Sequence, residues 1–184
     1  MPTPAISAYL ARSGQDGLNE VIQVFRHDFV QYMGMILSWA TLIEGEASAA
    51  PGADQAFKEA AAQFQRSTEH AFNSASARLR PEIPDGGDTA ALHRFWDMFL
   101  VTFKVDAAPT LAALEAQTQA LVGLPAFATL IEASLGVIAE GDTIGGLLLR
   151  PFERLRVMLQ PDVFDARMAE VIASRQHSGT PPNA

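Results

Sequence analysis

The residues best suited to chemistry stand in the segment 25–33, which reads Phe-Arg-His-Asp-Phe-Val-Gln-Tyr-Met. The imidazole of His27 is followed directly by the carboxylate of Asp28. An exposed imidazole can attack an electrophile while a neighbouring acid orients the ring. The simpler interpretation is that His27 and Asp28 only form the solvated face of a helix. The sequence alone favours this simpler interpretation.

A second segment, 146–155, reads Gly-Leu-Leu-Leu-Arg-Pro-Phe-Glu-Arg-Leu. Arg150 and Arg154 are four residues apart, so they share one face of a helix. Together with Arg156 they form a basic cluster on an otherwise acidic chain. Pro151 either kinks this helix or lies in its first turn, because proline removes a backbone hydrogen bond inside a helix.

Other recognisable sites are missing from the sequence. A di-iron carboxylate bundle needs Glu-x-x-His spacing, whereas Glu69 and His70 are adjacent. The four histidines lack zinc-ligand spacing, and the chain has no cysteine. The segment Gly-Asp-Thr-Ile-Gly-Gly lacks the Lys-Ser/Thr of a phosphate loop. We therefore predict no metal and no cofactor, and the sequence argues against an enzyme that makes covalent bonds.

The composition sets the class of protein. The 184 residues include 13 Lys and Arg against 21 Asp and Glu, a net charge of −8. This charge argues against nucleic acid and anionic membranes as partners. A hydrophobic content of 48% is enough for a core, and no apolar run is long enough to insert into a membrane. Without a recognisable secretory signal, we expect a cytoplasmic protein, or an effector delivered into a host cytoplasm.

Apolar residues recur at intervals of three and four, which predicts an all-α fold, an elongated bundle of six to seven helices. We expect a lead segment over 1–16, one helical domain over 17–176 and a disordered tail over 177–184. The predicted helices run from Gly17 to about Ala47, from Asp54 to about Leu79, from Asp88, from Pro109, from Pro125 through Ile138, from Ile144 to Gln160 and from Pro161 to about Gln176.

The same spacing assigns residues to the core. We predict that the aromatic residues of the third helix pack inside the protein and form no ligand site; they are Phe95, Trp96, Phe99 and Phe103. The residues predicted to face inward on the first and sixth helices are Phe29, Met33, Ile36, Leu148, Phe152 and Leu155. Asp28 and Arg150 are then expected to stay exposed, near one another across a groove.

The segment 25–33 resembles the phosphoacceptor helix of quorum-sensing receptor histidine kinases and sporulation phosphotransferases. In those proteins an Arg-His-Asp-aromatic run precedes an asparagine, and Gln31 stands at that place here. The resemblance implies histidine phosphotransfer with His27 as the acceptor. No Gly-rich ATP lid follows in the sequence, so a complete kinase is not indicated.

A longer resemblance, over roughly 17–176, is to the Dbl-homology (RhoGEF) family. The segment 146–155 is similar to the family's Leu-Leu/Ile-Lys-Pro-Val-Gln-Arg-Leu. Upstream, 125–131 is similar to Pro-x-Phe-x-x-Phe-Leu, and 99–106 to Tyr-x-x-Tyr-x-x-Asn. The segment 25–33 is similar to the family's first helix, although Arg26 stands where the family has a glutamate.

This resemblance implies a guanine-nucleotide exchange factor, or a degenerate GTPase-binding relative, for a Rho-like small GTPase. Such a protein binds the nucleotide-free GTPase more tightly, so by linkage it weakens nucleotide affinity. The implied GTPase-binding residues are Arg26, Asp28, Arg150, Arg154 and Gln176. Two alternatives stay open at this point: histidine phosphotransfer through His27, and a non-catalytic helical protein-interaction module.

Overall fold

The structure, a computed structural model, describes the backbone of residues 4–83, 87–132 and 143–178 and the side chains of 5–83, 87–131 and 143–174. It contains six helical elements in these ranges and no β-strand, so the predicted all-α fold is confirmed. The elements are α1 (Pro4–Ala49), α2 (Gln55–Arg78), α3 (Thr89–Val122), the π-helical α4 (Phe127–Glu132), α5 (Ile144–Met158) and α6 (Pro161–Ser178).

Helix α1 is the central element, and it packs against each of the other five. It begins at Pro4, before the predicted start at Gly17, and its N-terminal turn is buried on the core through Ile6 and Leu10. Gly14 interrupts it with φ 54° and ψ −134°, a backbone conformation that side chains with a Cβ rarely adopt. The glycine therefore lets the first ten residues of the helix bend onto the bundle.

The predicted start of a new helix at Pro109 is wrong, because α3 continues unbroken from Thr89 to Val122. The proline is exposed, and it lies between Phe103 and Leu111, both of which are buried. Burial of one continuous apolar face outweighs the loss of a single backbone hydrogen bond at the proline. Pro151 likewise lies inside α5, whose first turn is capped by Thr143, so it does not open that helix.

The aspartates at which two of the predicted helices begin are N-caps in the structure. Asp54 accepts a hydrogen bond from the amide of Phe57 at 2.7 Å, and Asp88 accepts one from Ala91 at 2.7 Å. Each carboxylate satisfies an amide that has no partner within its own helix. The predicted continuation of the fifth helix over 133–138, and the tail beyond Ser178, lie outside the described residues.

An aromatic cluster forms the centre of the core. The ring of Phe25 lies 5.1 Å from that of Phe164, 5.5 Å from Phe103 and 5.8 Å from Trp96, each edge to face. Trp96 and Phe103 are buried, and Phe95 and Phe99 are partly buried against them. The predicted packing role of these aromatic residues is confirmed, as is the burial of the residues predicted to face inward on α1 and α5: Phe29, Met33, Ile36, Leu148, Phe152 and Leu155.

Candidate functional site

The candidate site lies where α1 and α6 pack together. Asp28 follows His27 on α1 and precedes Phe29, whose ring points into the core. This position places Asp28 at the edge of the core, with its side chain only 13% exposed. One carboxylate oxygen, Oδ2, accepts a hydrogen bond from Nε of Arg167 on α6 at 3.0 Å. The other, Oδ1, lies 3.1 Å from Nδ1 of His27.

These contacts correct the expectation that Asp28 is exposed and free to meet a partner protein. The carboxylate is buried between α1 and α6, and both of its oxygens are engaged inside the protein. Separating the Asp28 carboxylate from these partners would leave a buried charge that neither water nor a hydrogen-bond donor stabilises. This would raise the free energy of the folded protein. Asp28 therefore acts on its neighbours within the protein.

His27 has the opposite surroundings, because its side chain is 75% exposed. Its Nδ1 faces the carboxylate of Asp28, which favours the tautomer that carries the proton on Nδ1. In that tautomer Nε2 holds a lone pair. This nitrogen lies across the ring from Asp28, so His27 presents a nucleophile on the outer face of α1.

Arg167 completes the array from α6. Its hydrogen bond to Asp28, together with the negative charge of that carboxylate, raises the pKa of the guanidinium above its usual value. Arg167 therefore stays cationic, and its hydrogen bond to Asp28 is charge-assisted. Its Nη1 also lies 3.5 Å from the carboxylate of Glu170 one turn further along α6.

An exposed face of α1 continues from His27 toward the C-terminal end of the helix. Successive turns of this face carry Gln31, Gly34, Met35, Ser38 and Leu42, of which Met35 and Leu42 are exposed large hydrophobic residues. Around the imidazole itself, the surface has a shallow depression lined by Gln23, Arg26, His27, Val30 and Gln31. The exposed imidazole of His27 and the two exposed apolar side chains thus share one helix face.

The basic cluster of α5 lies on a second surface. Arg150 and Arg154 are exposed, one helical turn apart. Arg156 forms an ion pair with Glu115 of α3 at 2.7 Å, so it joins two helices. Helix α5 packs against α1, which contacts every other helical element as well. The side chain of Gln176, the fifth residue of that predicted surface, lies outside the described residues.

A cavity of about 230 Å³, which the sequence did not indicate, lies between α1, α2 and α3. Its floor is apolar and includes Phe29 and Phe103, and the ion pair of Arg78 with Asp106 lies at its wall. This volume is below the range usual for the pockets that hold small-molecule ligands.

Within the described ranges, no three histidine or acidic side chains are grouped so that they could hold a metal ion. None of the described helices has the length and apolar character needed to cross a bilayer. In comparisons with known proteins, no family model, no curated protein and no solved structure matches this chain.

Proposed function

We propose that this protein is a histidine phosphotransfer protein and that Nε2 of His27 is the phosphoryl acceptor. The observation that carries the proposal is the array of His27, Asp28 and Arg167. It combines an exposed imidazole with a buried carboxylate that is oriented by a cation from another helix. A histidine that only contributes to a solvated helix face needs neither a buried carboxylate beside its ring nor a cation that orients this carboxylate.

In this proposal, each side chain of the array has a role in the transfer. The lone pair of His27 Nε2 attacks the phosphorus of an acyl phosphate, such as a phosphoaspartyl group or acetyl phosphate. The nitrogen–phosphorus bond forms, and the bond from phosphorus to the acyl oxygen breaks, so the carboxylate leaves with the electron pair. The proton on Nδ1 stays hydrogen-bonded to Asp28, whose negative charge stabilises the positive charge on the ring.

The surface around His27 suits a protein donor. A phosphorylated protein must bring its phosphoryl group within bonding distance of Nε2, which requires contact with the helix that carries the histidine. Met35 and Leu42 extend this contact over about four turns of α1 beyond His27. Apolar side chains exposed beside a reactive group are typical of a transient protein interface.

Phosphorylation of the purified protein tests the proposal. We expect incubation with acetyl phosphate, or with a phosphorylated response regulator, to produce acid-labile phosphate on the wild-type chain. The variant His27→Ala abolishes this label. His70→Ala is the matched control, because His70 is an exposed histidine on α2 and lies outside the array. Label that persists in His27→Ala, or a wild-type chain that takes no label, contradicts the proposal.

Binding of a Rho-like small GTPase is the second candidate function. The observation that favours it is the packing of α5 beside α1, which places exposed Arg150 and Arg154 on the helix next to the one that carries Arg26. In this candidate, the two arginines meet acidic residues of the GTPase. Asp28 is no longer part of the contact surface, because it is buried.

Nucleotide release separates the two candidates. If the second holds, the protein accelerates the loss of fluorescent GDP from a Rho-like GTPase, and Arg150→Glu abolishes the acceleration. Arg66→Glu, a charge reversal at an exposed position of α2, serves as the control. If the wild type is inactive, Arg26→Glu restores the acidic residue of the family and is the variant to assay. If both assays are negative, the third alternative, a non-catalytic helical interaction module, is the one to test next.

A further inference from the structure

Helix α3 carries an apolar stripe on its solvent face. Met98 is 64% exposed, Val101 61% and Val105 68%, and these are the most exposed large hydrophobic residues in the described part of the chain. Ala108 and Ala112 continue the stripe and are exposed as well. The intervals of three, four, three and four residues are those of the a and d positions of a coiled coil.

The stripe is separate from the core and from the His27 site. On the opposite side of α3, Trp96, Leu100 and Phe103 are buried against the bundle. Between Met98 and Ala112 the sequence has only two charged residues, Lys104 and Asp106. Asp106 points toward α2, where it pairs with Arg78 at 2.6 Å. A weakly charged apolar helix face on a chain of net charge −8 is typical of an interface.

Two charges flank the stripe on the same side and indicate what covers it. Asp97 and Lys104 are both exposed, seven residues apart, which is roughly 10 Å along the helix axis. Within the described structure, neither forms an ion pair. Opposite charges at this spacing complement themselves when a second copy of the helix lies antiparallel across them.

We propose that the α3 stripe is the interface of a homodimer, in which α3 of one copy packs antiparallel on α3 of the other. A two-fold axis passing near Leu100 places Asp97 of each copy opposite Lys104 of its partner, so the ion pair forms twice. With the same axis, Met98 of each copy packs against Val101 of the other copy, and the aliphatic part of Arg94 lies over Val105 of the other copy. A parallel arrangement would instead place the flank that carries Asp97 and Lys104 on opposite sides of the interface in the two copies, so neither ion pair could form.

Such an interface is isologous, since the same patch serves both copies. Because α3 carries the stripe and α1 carries His27, the dimer leaves both His27 faces available. The proposal is therefore independent of the function of His27.

Sedimentation equilibrium of the full chain over a range of concentrations tests the dimer. We expect a monomer–dimer equilibrium for the wild type. Val101→Asp places two like charges at the two-fold axis and should weaken dimerisation at least tenfold. Leu42→Asp is the matched control, an exposed apolar residue of α1 converted to the same charge, and it should leave the dimer intact. Circular dichroism establishes that each variant keeps its helices.

Exchange of the flanking charges tests the antiparallel register. Lys104→Asp or Asp97→Lys alone creates two repulsive contacts and should weaken the dimer, whereas the double variant restores both ion pairs and with them the wild-type dissociation constant. A wild type that stays monomeric at every concentration overturns the proposal. So does a dimer that survives Val101→Asp, and a double variant as weak as the single ones overturns the antiparallel register.

Discussion

Replacing Arg167 by alanine tests whether the buried carboxylate of Asp28 depends on its cation. Arg167→Ala leaves that side chain, 13% exposed, with only the imidazole of His27 close to it among the contacts described above. A buried polar group that loses its hydrogen-bond partner lowers the free energy of unfolding by about 1–3 kcal/mol. We expect Arg167→Ala to lower the free energy of unfolding by about 2 kcal/mol, because burial prevents the carboxylate from regaining its hydration. In a chain of this length, that lowers the melting temperature by about 4–8 °C.

The reciprocal change, removal of the Asp28 carboxylate, should lower the free energy of unfolding by less. Asp28→Ala leaves Arg167 47% exposed and still 3.5 Å from Glu170, so water and that carboxylate replace the lost partner. We expect a loss of about 1 kcal/mol for Asp28→Ala, and the double variant should lose only about 2 kcal/mol, no more than Arg167→Ala alone. The coupling energy is then about 1 kcal/mol, measured by urea unfolding followed by circular dichroism.

The ion pair of Arg78 with Asp106 is the matched control. Its atoms are closer, at 2.6 Å, but its side chains are 52% and 43% exposed. If distance decided the strength, this pair would be the stronger. Solvent screening predicts instead a coupling energy below about 0.5 kcal/mol. Equal coupling in the two pairs, or a larger value for the Arg78 pair, would refute the reasoning that burial makes the Asp28 contact matter.

Three further predictions concern the stability of the fold. Phe25→Ala removes the ring at the centre of the aromatic cluster and should lower the free energy of unfolding by about 3–5 kcal/mol in urea titrations; a loss below about 1 kcal/mol would mean that the cluster is not packed as described. Asp165→Ala removes the carboxylate that accepts hydrogen bonds from the amides of Ala5 and Ile6 at 3.2 and 2.9 Å. It should cost about 1–2 kcal/mol and speed hydrogen exchange in the first turns of α1; unchanged exchange there would contradict the capping role. Gly14→Ala should destabilise by about 1–3 kcal/mol through its backbone alone, since no atom lies within 4 Å of the added Cβ; a melting temperature equal to that of the wild type would show that the bend does not require glycine.

Much of the fold could be predicted because the signals for helices are local. The spacing of apolar residues defines the buried face of a helix, and an aspartate before its first turn caps it, as at Asp54 and Asp88. The same spacing correctly placed Phe29 and Met33 in the core. The local pattern failed at Pro109, where proline predicts a new helix, because the energy that carries α3 past it comes from packing against other helices.

The candidate site likewise has one part that the sequence predicts and another that only the tertiary structure determines. The sequence by itself placed His27 beside Asp28, since adjacent residues are always close in space. Only the tertiary structure decided that the two side chains differ so strongly in exposure. The cause is Arg167, which meets Asp28 from 139 residues further along the chain. No local pattern specifies such a contact, because it depends on how α6 packs against α1. That packing buries the carboxylate and leaves the imidazole in solvent.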